Sequence, residues 1–92
     1  MSLVFIWDRS KAAKNLKKHG VSFDEAREAF YDPNELTMHD ERHSEEEDRF
    51  LLLGCTLSGK LVVVAFTDRG DTIRIISARR ANRSERKRYD ET

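Results

Sequence analysis

The sequence predicts an α+β domain in which two helices near the N-terminus pack on a mainly antiparallel sheet. Two capped helical segments come first, four strand-like segments follow, and a charged helical segment ends the chain. Runs of helices followed by runs of strands are typical of α+β folds rather than of alternating α/β folds. With a short strand before the helices, the predicted order is β-α-α-β-β-β-β-α. The length of 92 residues predicts a single domain over residues 1–92.

The chain is expected to begin with a short strand and a capped helix. Residues 3–7 (LVFIW) are apolar, with the β-branched and aromatic side chains that strands favour. Asp8 is a good N-cap for a helix over residues 11–19, and Gly20 suits the left-handed residue that ends many helices. The face of this helix with apolar spacing consists of Ala12, Leu16 and His19.

A second helix is predicted directly after the first. Ser22 and Glu25 have the spacing of a capping box, in which each side chain binds the backbone N–H of the other residue. Asp32-Pro33 ends this helix, because proline disfavours helical backbone at the residue before it. Its apolar face consists of Phe23, Ala26 and Phe30.

The second half of the chain is predicted to form the sheet. Strands are expected at residues 35–39, 49–57, 60–67 and 72–79, and a helix at residues 81–89. Turns at Ser58-Gly59 and at residues 68–71 join the last three strands. Residues 51–53 and 61–66 are apolar at every position, so we expect these two segments to be central in the sheet.

The composition excludes several classes of protein. Hydrophobic residues make up 38% of the chain, and the 17 basic residues balance the 17 acidic ones, so disorder is not expected. A single cysteine, Cys55, excludes an internal disulfide. The longest apolar run covers residues 61–66, whereas a membrane span needs about 20 residues. A domain of this size has a thin core, which argues against a deep cofactor pocket. We therefore expect a cytoplasmic protein with no cofactor and no membrane contact.

Charge is distributed unevenly along the chain. Residues 35–48 hold one basic and seven acidic side chains, whereas residues 49–92 hold ten basic and five acidic ones. An acidic block of this kind is usually a solvated loop. A basic segment rich in arginine is a candidate phosphate-binding surface.

An ordered series of short stretches runs through residues 5–89. The series consists of FIWD at 5–8 leading to Lys11 and Asn15, KHGVSF at 18–23, Glu25-Ala26, Asp32-Pro33, His43-Ser44 ahead of Glu47 and Arg49, Leu53-Gly54, Gly59, VVVAFT at 62–67, IRIISAR at 73–79, Glu85 and Tyr89. No single stretch is specific, but the set in this order and at these spacings resembles the BrnT family of bacterial toxins.

The resemblance implies a RelE-like ribonuclease that cuts RNA, including mRNA on ribosomes, and thereby halts translation. It also implies a partner, a BrnA-like antitoxin with a ribbon-helix-helix DNA-binding domain. The toxin–antitoxin complex would repress its own operon, so operator DNA would be reached only through the antitoxin. These properties come from the resemblance and not from composition or spacing.

RNA cleavage without a metal ion needs charge stabilisation on the phosphate and proton transfer at two oxygens. We predict Arg74, Arg79 and His43 as catalytic residues, since arginine matches phosphate oxygens and histidine titrates near neutral pH. Salt bridges to acidic neighbours are the alternative for the arginines, and an exposed loop residue is the alternative for His43. In a regular strand, positions 74 and 79 point to opposite faces, so a shared site would need a bulge near residues 75–76 or the strand end.

Further positions are predicted to contact RNA or the antitoxin. The predicted RNA contacts are Lys18, Arg49, Arg80 and Tyr89. For Lys18 a solvated helix face is the alternative, and for Tyr89 a ring packed on the sheet is the favoured alternative. The predicted antitoxin contacts are Arg83, Arg86 and Arg88, because exposed cations suit an acidic or mixed-charge segment.

Two other interpretations remain open at this point. His39, Asp40, His43 and residues 45–47 place possible metal ligands close together, but their spacing fits no standard zinc pattern, and no metal is expected. A non-catalytic module that binds protein or DNA through the basic C-terminal half is the alternative function, which the neutral net charge slightly favours.

Overall fold

The fold follows the predicted order of helices and strands. The computed structural model describes residues 3–43 and 47–92. Its elements are β1 (Val4–Ile6), α1 (Arg9–His19), α2 (Phe23–Ala29), β2 (Leu36–His39), a 3-10 turn (Glu41–His43), β3 (Arg49–Cys55), β4 (Leu61–Arg69), β5 (Thr72–Arg80) and α3 (Arg83–Asp90). The predicted α+β class with two N-terminal helices is therefore confirmed. Within the described ranges, no helix is long and apolar enough to cross a membrane.

The sheet has five strands in the order β1-β5-β4-β3-β2. All neighbours are antiparallel except β1 and β5, which run parallel. The apolar segment of β4 lies at the centre of the sheet and that of β3 lies beside it, as expected. A two-residue turn joins β4 to β5, and its Gly70 has a φ of 84°, which side chains other than glycine rarely adopt.

The two faces of the sheet are covered unequally. On one face α1 and α2 bury the main core, which includes Phe23, Val64 and Ile75. On the other face, the smaller cluster of Leu53, Leu61 and Val63 lies under Tyr89 and Ala81. Because α3 has only eight residues, the Arg49 end of that second face stays open. An open polar groove can form there.

The ends of the helices follow local sequence signals. Asp8 caps α1 by accepting a hydrogen bond from the Lys11 backbone, and Gly20 ends it with a φ of 69°. The capping box of Ser22 and Glu25 starts α2 as predicted. A second capping box, formed by Asn82 and Glu85, starts α3 two residues later than expected.

The buried residue of α1 is a polar one. Leu16, which shares the face with apolar spacing, is 50% exposed, whereas Asn15 is buried. The Asn15 amide donates to the carbonyl oxygens of Val21 and Ala78 at 2.9 and 2.8 Å, and its oxygen accepts from the Ala78 N–H at 3.0 Å. Ala78 lies in the part of β5 that has no β1 partner, so the amide takes the place of a neighbouring strand.

A β-bulge changes the parity of β5. Ala65 of β4 pairs with Ser77, but the next residue, Phe66, pairs with Ile75, which leaves Ile76 as the extra residue. Both Arg74 and Arg79 therefore lie on the face opposite α1 and α2. The sequence predicts that Arg74 and Arg79 can share a face only if a bulge lies near residues 75–76 or at the strand end, and the bulge is present at Ile76.

Candidate active site

The strand register brings three polar side chains into one row on the open face. Arg49 of β3 pairs with Thr67 of β4, and Thr67 pairs with Arg74 of β5. The row lines a cavity of about 340 Å³, here called the cationic groove. The residues that line this groove are Lys11, Arg42, His43, Glu47, Arg49, Thr67, Arg74 and Ile76. Side chains from α1, the 3-10 turn and three strands thus meet at one site.

Thr67 lies between the two arginines and has an unsatisfied hydroxyl. Its relative exposure is 2%, and its Oγ1 has no hydrogen-bond partner among residues 3–43 and 47–92. A buried polar group without a partner costs about 1–3 kcal/mol, so native structures rarely retain one. The position of this hydroxyl in the groove wall suits an oxygen atom of a bound ligand.

The groove holds an excess of positive charge although the whole chain is neutral. Lys11, Arg42, Arg49 and Arg74 line it, and Glu47 is the one carboxylate among its described lining residues. Arg74 forms no hydrogen bond or ion pair with the part of the chain that the structure describes. Its guanidinium is therefore available to a ligand, and arginine forks bind phosphate oxygens in pairs.

Glu47 is fixed in the groove by Arg69 of β4. The Arg69 Nε and Nη2 atoms lie 2.6 and 3.0 Å from the two Glu47 oxygens. Hydrogen bonds from Arg69, and then the charges of Arg69, Arg74 and Arg49, hold the pKa of Glu47 below its ordinary value. This carboxylate is therefore ionised at neutral pH and can accept a proton.

His43 is oriented by the start of its own turn. Its Nδ1 lies 3.0 Å from Asp40 Oδ2, and the imidazole is exposed at the groove. A carboxylate at Nδ1 fixes the ring and leaves Nε2 as the nitrogen that can exchange a proton with a ligand. The arrangement suits a general acid or base.

Arg79 is held away from the cationic groove. Its Nη1 and Nη2 atoms each lie 2.8 Å from an oxygen of Glu85, and these hydrogen bonds raise the pKa of Arg79. Its cross-strand partner is Val63, four residues along β4 from Thr67, a distance of about 13 Å at about 3.3 Å per residue. Arg74 and Arg79 thus share a face of the sheet but not a cavity.

Three of the predicted RNA contacts lie outside the groove. Lys18 is exposed on α1, and Arg80 is exposed at the end of β5. The Tyr89 hydroxyl donates to Asp32 Oδ2 at 2.5 Å, and this hydrogen bond raises the pKa of Tyr89. The Tyr89 ring packs on the smaller cluster, which is the alternative that the sequence favoured.

The predicted antitoxin contacts are exposed on α3. Arg88 also lines a second cavity of about 70 Å³ at the edge of that helix. The other residues of this second cavity are Met38, Leu51, Leu53, Val63 and Glu85. Basic side chains and a small apolar recess are therefore neighbours on this surface.

The sequence analysis did not assign a catalytic or RNA-binding role to four polar residues of the groove. These are Lys11, Arg42, Glu47 and Thr67. Lys11 and Glu47 belong to the series of stretches that resembles the BrnT family, and Thr67 is the polar end of an otherwise apolar run. Only the strand register shows that Thr67 lies between two arginines.

The alternative metal site receives no support from the described residues. Within residues 3–43 and 47–92, no three His, Cys, Asp or Glu side chains are grouped so that they could hold a metal ion. Two of the proposed ligands, Glu45 and Glu46, lie outside the described residues.

Among the comparisons with known proteins, the match to a family model identifies the family. The family model described as "Ribonuclease toxin, BrnT, of type II toxin-antitoxin system" matches residues 7–85. Among solved structures, the crystal structure of the Brucella abortus ribonuclease toxin BrnT matches with a TM-score of 0.69 and 22% identity, over 89% of this chain and 100% of that one. At that identity the structural likeness shows the fold alone. A search among curated protein sequences found no match.

Proposed function

The chain belongs to the BrnT family of ribonuclease toxins of type II toxin–antitoxin systems, and on that premise we propose that it cleaves RNA in the cationic groove without a metal ion. The observation that carries this proposal is the unpartnered Thr67 hydroxyl in the row between Arg49 and Arg74. A phosphate in the groove would accept hydrogen bonds from Thr67 and Arg74. The negative charge of the reacting phosphoryl group would then lie next to fixed cations, which would stabilise it as a metal ion does in metal-dependent nucleases.

Two groups of the groove have the properties needed for proton transfer. Glu47 is ionised and held by Arg69, so it would accept the proton of the 2′-hydroxyl as that oxygen attacks phosphorus. His43 would donate a proton to the 5′-oxygen as the P–O bond breaks. The products would be a 2′,3′-cyclic phosphate and a free 5′-hydroxyl, with one proton moved onto Glu47 and one moved off His43.

Arg74 is the residue whose loss should affect cleavage most. Removal of one fixed donor to a developing charge typically lowers the rate about 10²–10³-fold. Arg74→Ala should show a loss of this size on single-stranded RNA in EDTA, while the circular dichroism spectrum is unchanged. Arg27→Ala is a matched control, since Arg27 is an exposed arginine of α2 that pairs only with Asp24 among the described residues. Cleavage by the wild type that disappears on adding EDTA would contradict a metal-independent mechanism.

Arg79 stays a candidate catalytic residue, although Glu85 binds its guanidinium in this arrangement. A direct role would require the ion pair to open on RNA binding. Glu85→Gln would then raise the cleavage rate or leave it unchanged, whereas Arg79→Ala would lower it. If both variants lose stability and neither changes the rate per folded molecule, Arg79 serves only to hold α3.

The biological outcome that we propose is growth arrest through cleavage of mRNA, with neutralisation by a BrnA-like ribbon-helix-helix antitoxin. Expression of the wild type should stop protein synthesis, and Arg74→Ala should restore it. Arrest that persists in Arg74→Ala and in Arg79→Ala would favour the non-catalytic binding module instead. The neutral net charge slightly favoured that module, and the concentration of cations in one groove weakens this argument.

The antitoxin is expected to dock on α3 through Arg83, Arg86 and Arg88, with an apolar side chain in the second cavity. Exposed charges at the edge of an interface, such as these three arginines, act mainly on the association rate. Replacing the three arginines with serine should therefore slow association and flatten its salt dependence, measured by surface plasmon resonance at two salt concentrations. Association at the wild-type rate in low salt would show that the antitoxin docks elsewhere.

A further inference from the structure

One flank of α1 carries three lysines that begin at the cationic groove. Lys11 lines the groove, and helical geometry of about 100° per residue places Lys14 and Lys18 within about 60° of it around the helix axis. All three side chains are exposed, and none forms an ion pair within the described ranges. The helix RSKAAKNLKKH contains no carboxylate. We call Lys11, Lys14 and Lys18 the lysine flank.

The contacts of Asn15 set the direction in which this flank points. The Asn15 amide binds Ala78, so α1 lies along the free edge of β5. On one side of Asn15 around the helix lies Ala12, which packs on the main core. Lys11 and Lys18, four residues before and three after Asn15, lie on the other side. The lysine flank is therefore turned toward the face of the sheet where the cationic groove opens.

The shape and charge of the lysine flank suit a chain of phosphates. From Lys11 to Lys18 the helix rises about 10.5 Å at about 1.5 Å per residue. A stacked nucleic-acid strand advances about 3.4 Å per nucleotide, so the flank is about three nucleotides long. Lysine binds phosphate as a compact point charge and needs no particular base, which suits contacts to a backbone.

We propose that the lysine flank binds the phosphates of single-stranded RNA next to the one in the cationic groove, so that the substrate strand runs along α1. This inference rests on the proposed function and extends it. The RNA path would leave the groove at Lys11 and follow β5 toward Arg80. Lys14 and Lys18 would add affinity for long RNA and nothing for a fragment with a single phosphate.

The test compares a long and a short RNA probe that cannot be cleaved. The probes are 2′-O-methyl oligonucleotides of ten and two residues, in which no 2′-hydroxyl can attack, and binding is followed by fluorescence anisotropy over a range of salt concentrations. The variant is Lys14→Gln with Lys18→Gln. The matched control, Arg9→Gln with Lys87→Gln, removes the same charge from exposed positions away from the flank.

For the ten-residue probe, the slope of log affinity against log salt should fall by about 1.4 in the lysine variant, since each lost phosphate contact removes about 0.7. The control should keep the wild-type slope, and the two-residue probe should bind both variants equally. Equal losses in both variants would show a general charge effect and would overturn the inference. A lysine variant that keeps the wild-type affinity for RNA but no longer binds the antitoxin would also overturn the inference.

Failure of the proposed function would look different. Arg74→Ala tests the groove with the two-residue probe, which Lys14 and Lys18 do not reach. If Arg74→Ala binds that probe as the wild type does, the groove is not the phosphate site, whatever the lysine variant does. If the lysine variant binds the ten-residue probe as the wild type does, but Arg74→Ala binds the two-residue probe more weakly, the groove is still the phosphate site and the proposed RNA path is wrong.

Discussion

Two buried threonines of this domain should respond in opposite ways to the same substitution. Thr67 has a relative exposure of 2% and an Oγ1 without a partner in the described part of the chain, whereas Thr56 is 5% exposed and its Oγ1 accepts from the Lys60 N–H at 3.1 Å. Valine has nearly the same shape as threonine but no hydroxyl. Thr67→Val removes an unmet polar group, and Thr56→Val removes a satisfied one.

The magnitudes follow from the cost of an unsatisfied polar group. Thr67→Val should raise the free energy of unfolding by about 1 kcal/mol, the lower end of the usual cost of such a group. Thr56→Val should lower it by at least about 1 kcal/mol, because the hydrogen bonds of its hydroxyl with the Lys60 N–H and the Ser58 hydroxyl are lost. For a domain of this length, each change corresponds to a shift in Tm of about 4–8 °C.

The same substitution at Thr67 should weaken function while it stabilises the fold. If the Thr67 hydroxyl donates a hydrogen bond to a phosphate oxygen of bound RNA, the Thr67→Val variant should bind RNA less tightly and cleave it more slowly, despite its higher Tm. Urea unfolding gives the stability, and single-turnover cleavage in EDTA gives the rate. If Thr67→Val is less stable than the wild type, the Thr67 hydroxyl is already satisfied in the free protein, and a ligand oxygen is not needed at that position.

Three further changes have definite expected outcomes. The cleavage rate should decline on acidification as Glu47 is protonated, with a midpoint below the ordinary value of 4.5 because the pKa of Glu47 is lowered. Arg69→Ala should move this midpoint to higher pH, because the variant lacks the hydrogen bonds and charge that lower the pKa. An unmoved midpoint would exclude Glu47 as the general base. Asn15→Ala should lower the free energy of unfolding by about 2–4 kcal/mol in urea, from three lost hydrogen bonds at about 1 kcal/mol each and a buried backbone left unpaired. Gly54→Ala should lower the free energy of unfolding by about 1–3 kcal/mol, because the new Cβ would lie 2.8 Å from the Ala29 carbonyl oxygen. Urea unfolding midpoints equal to that of the wild type would contradict the predictions for Asn15→Ala and Gly54→Ala.

The sequence predicts most of the fold because its boundary signals are local. Asp8, Gly20 and the Ser22–Glu25 capping box act within one turn of helix, so their patterns can be recognised without a tertiary structure. The apolar runs of β3 and β4 predict central strands, since a strand with both faces covered has no polar alternation. That residues 1–92 form one domain stays a prediction.

The composition of the site depends on contacts that local patterns do not contain. Thr67 becomes significant only through its register with Arg49 and Arg74, and strand register is a long-range property. Arg74 and Arg79 look alike in the sequence, yet Glu85 of α3 binds one and not the other. Such choices between partners are made by packing, which the spacing of charges along the chain does not determine.

The excess charge of the cationic groove has a consequence for how RNA would approach the protein. The groove holds four cations and one carboxylate among its described residues, while the whole chain sums to zero, so the rest of the surface is net negative. Beyond the Debye length of about 8 Å at physiological salt, these opposing fields are largely screened. Long-range steering is then weak, and encounter with RNA should proceed near the about 10⁵–10⁶ M⁻¹s⁻¹ of uncharged partners. Discrimination would take place after contact, through the fit of a strand to the groove.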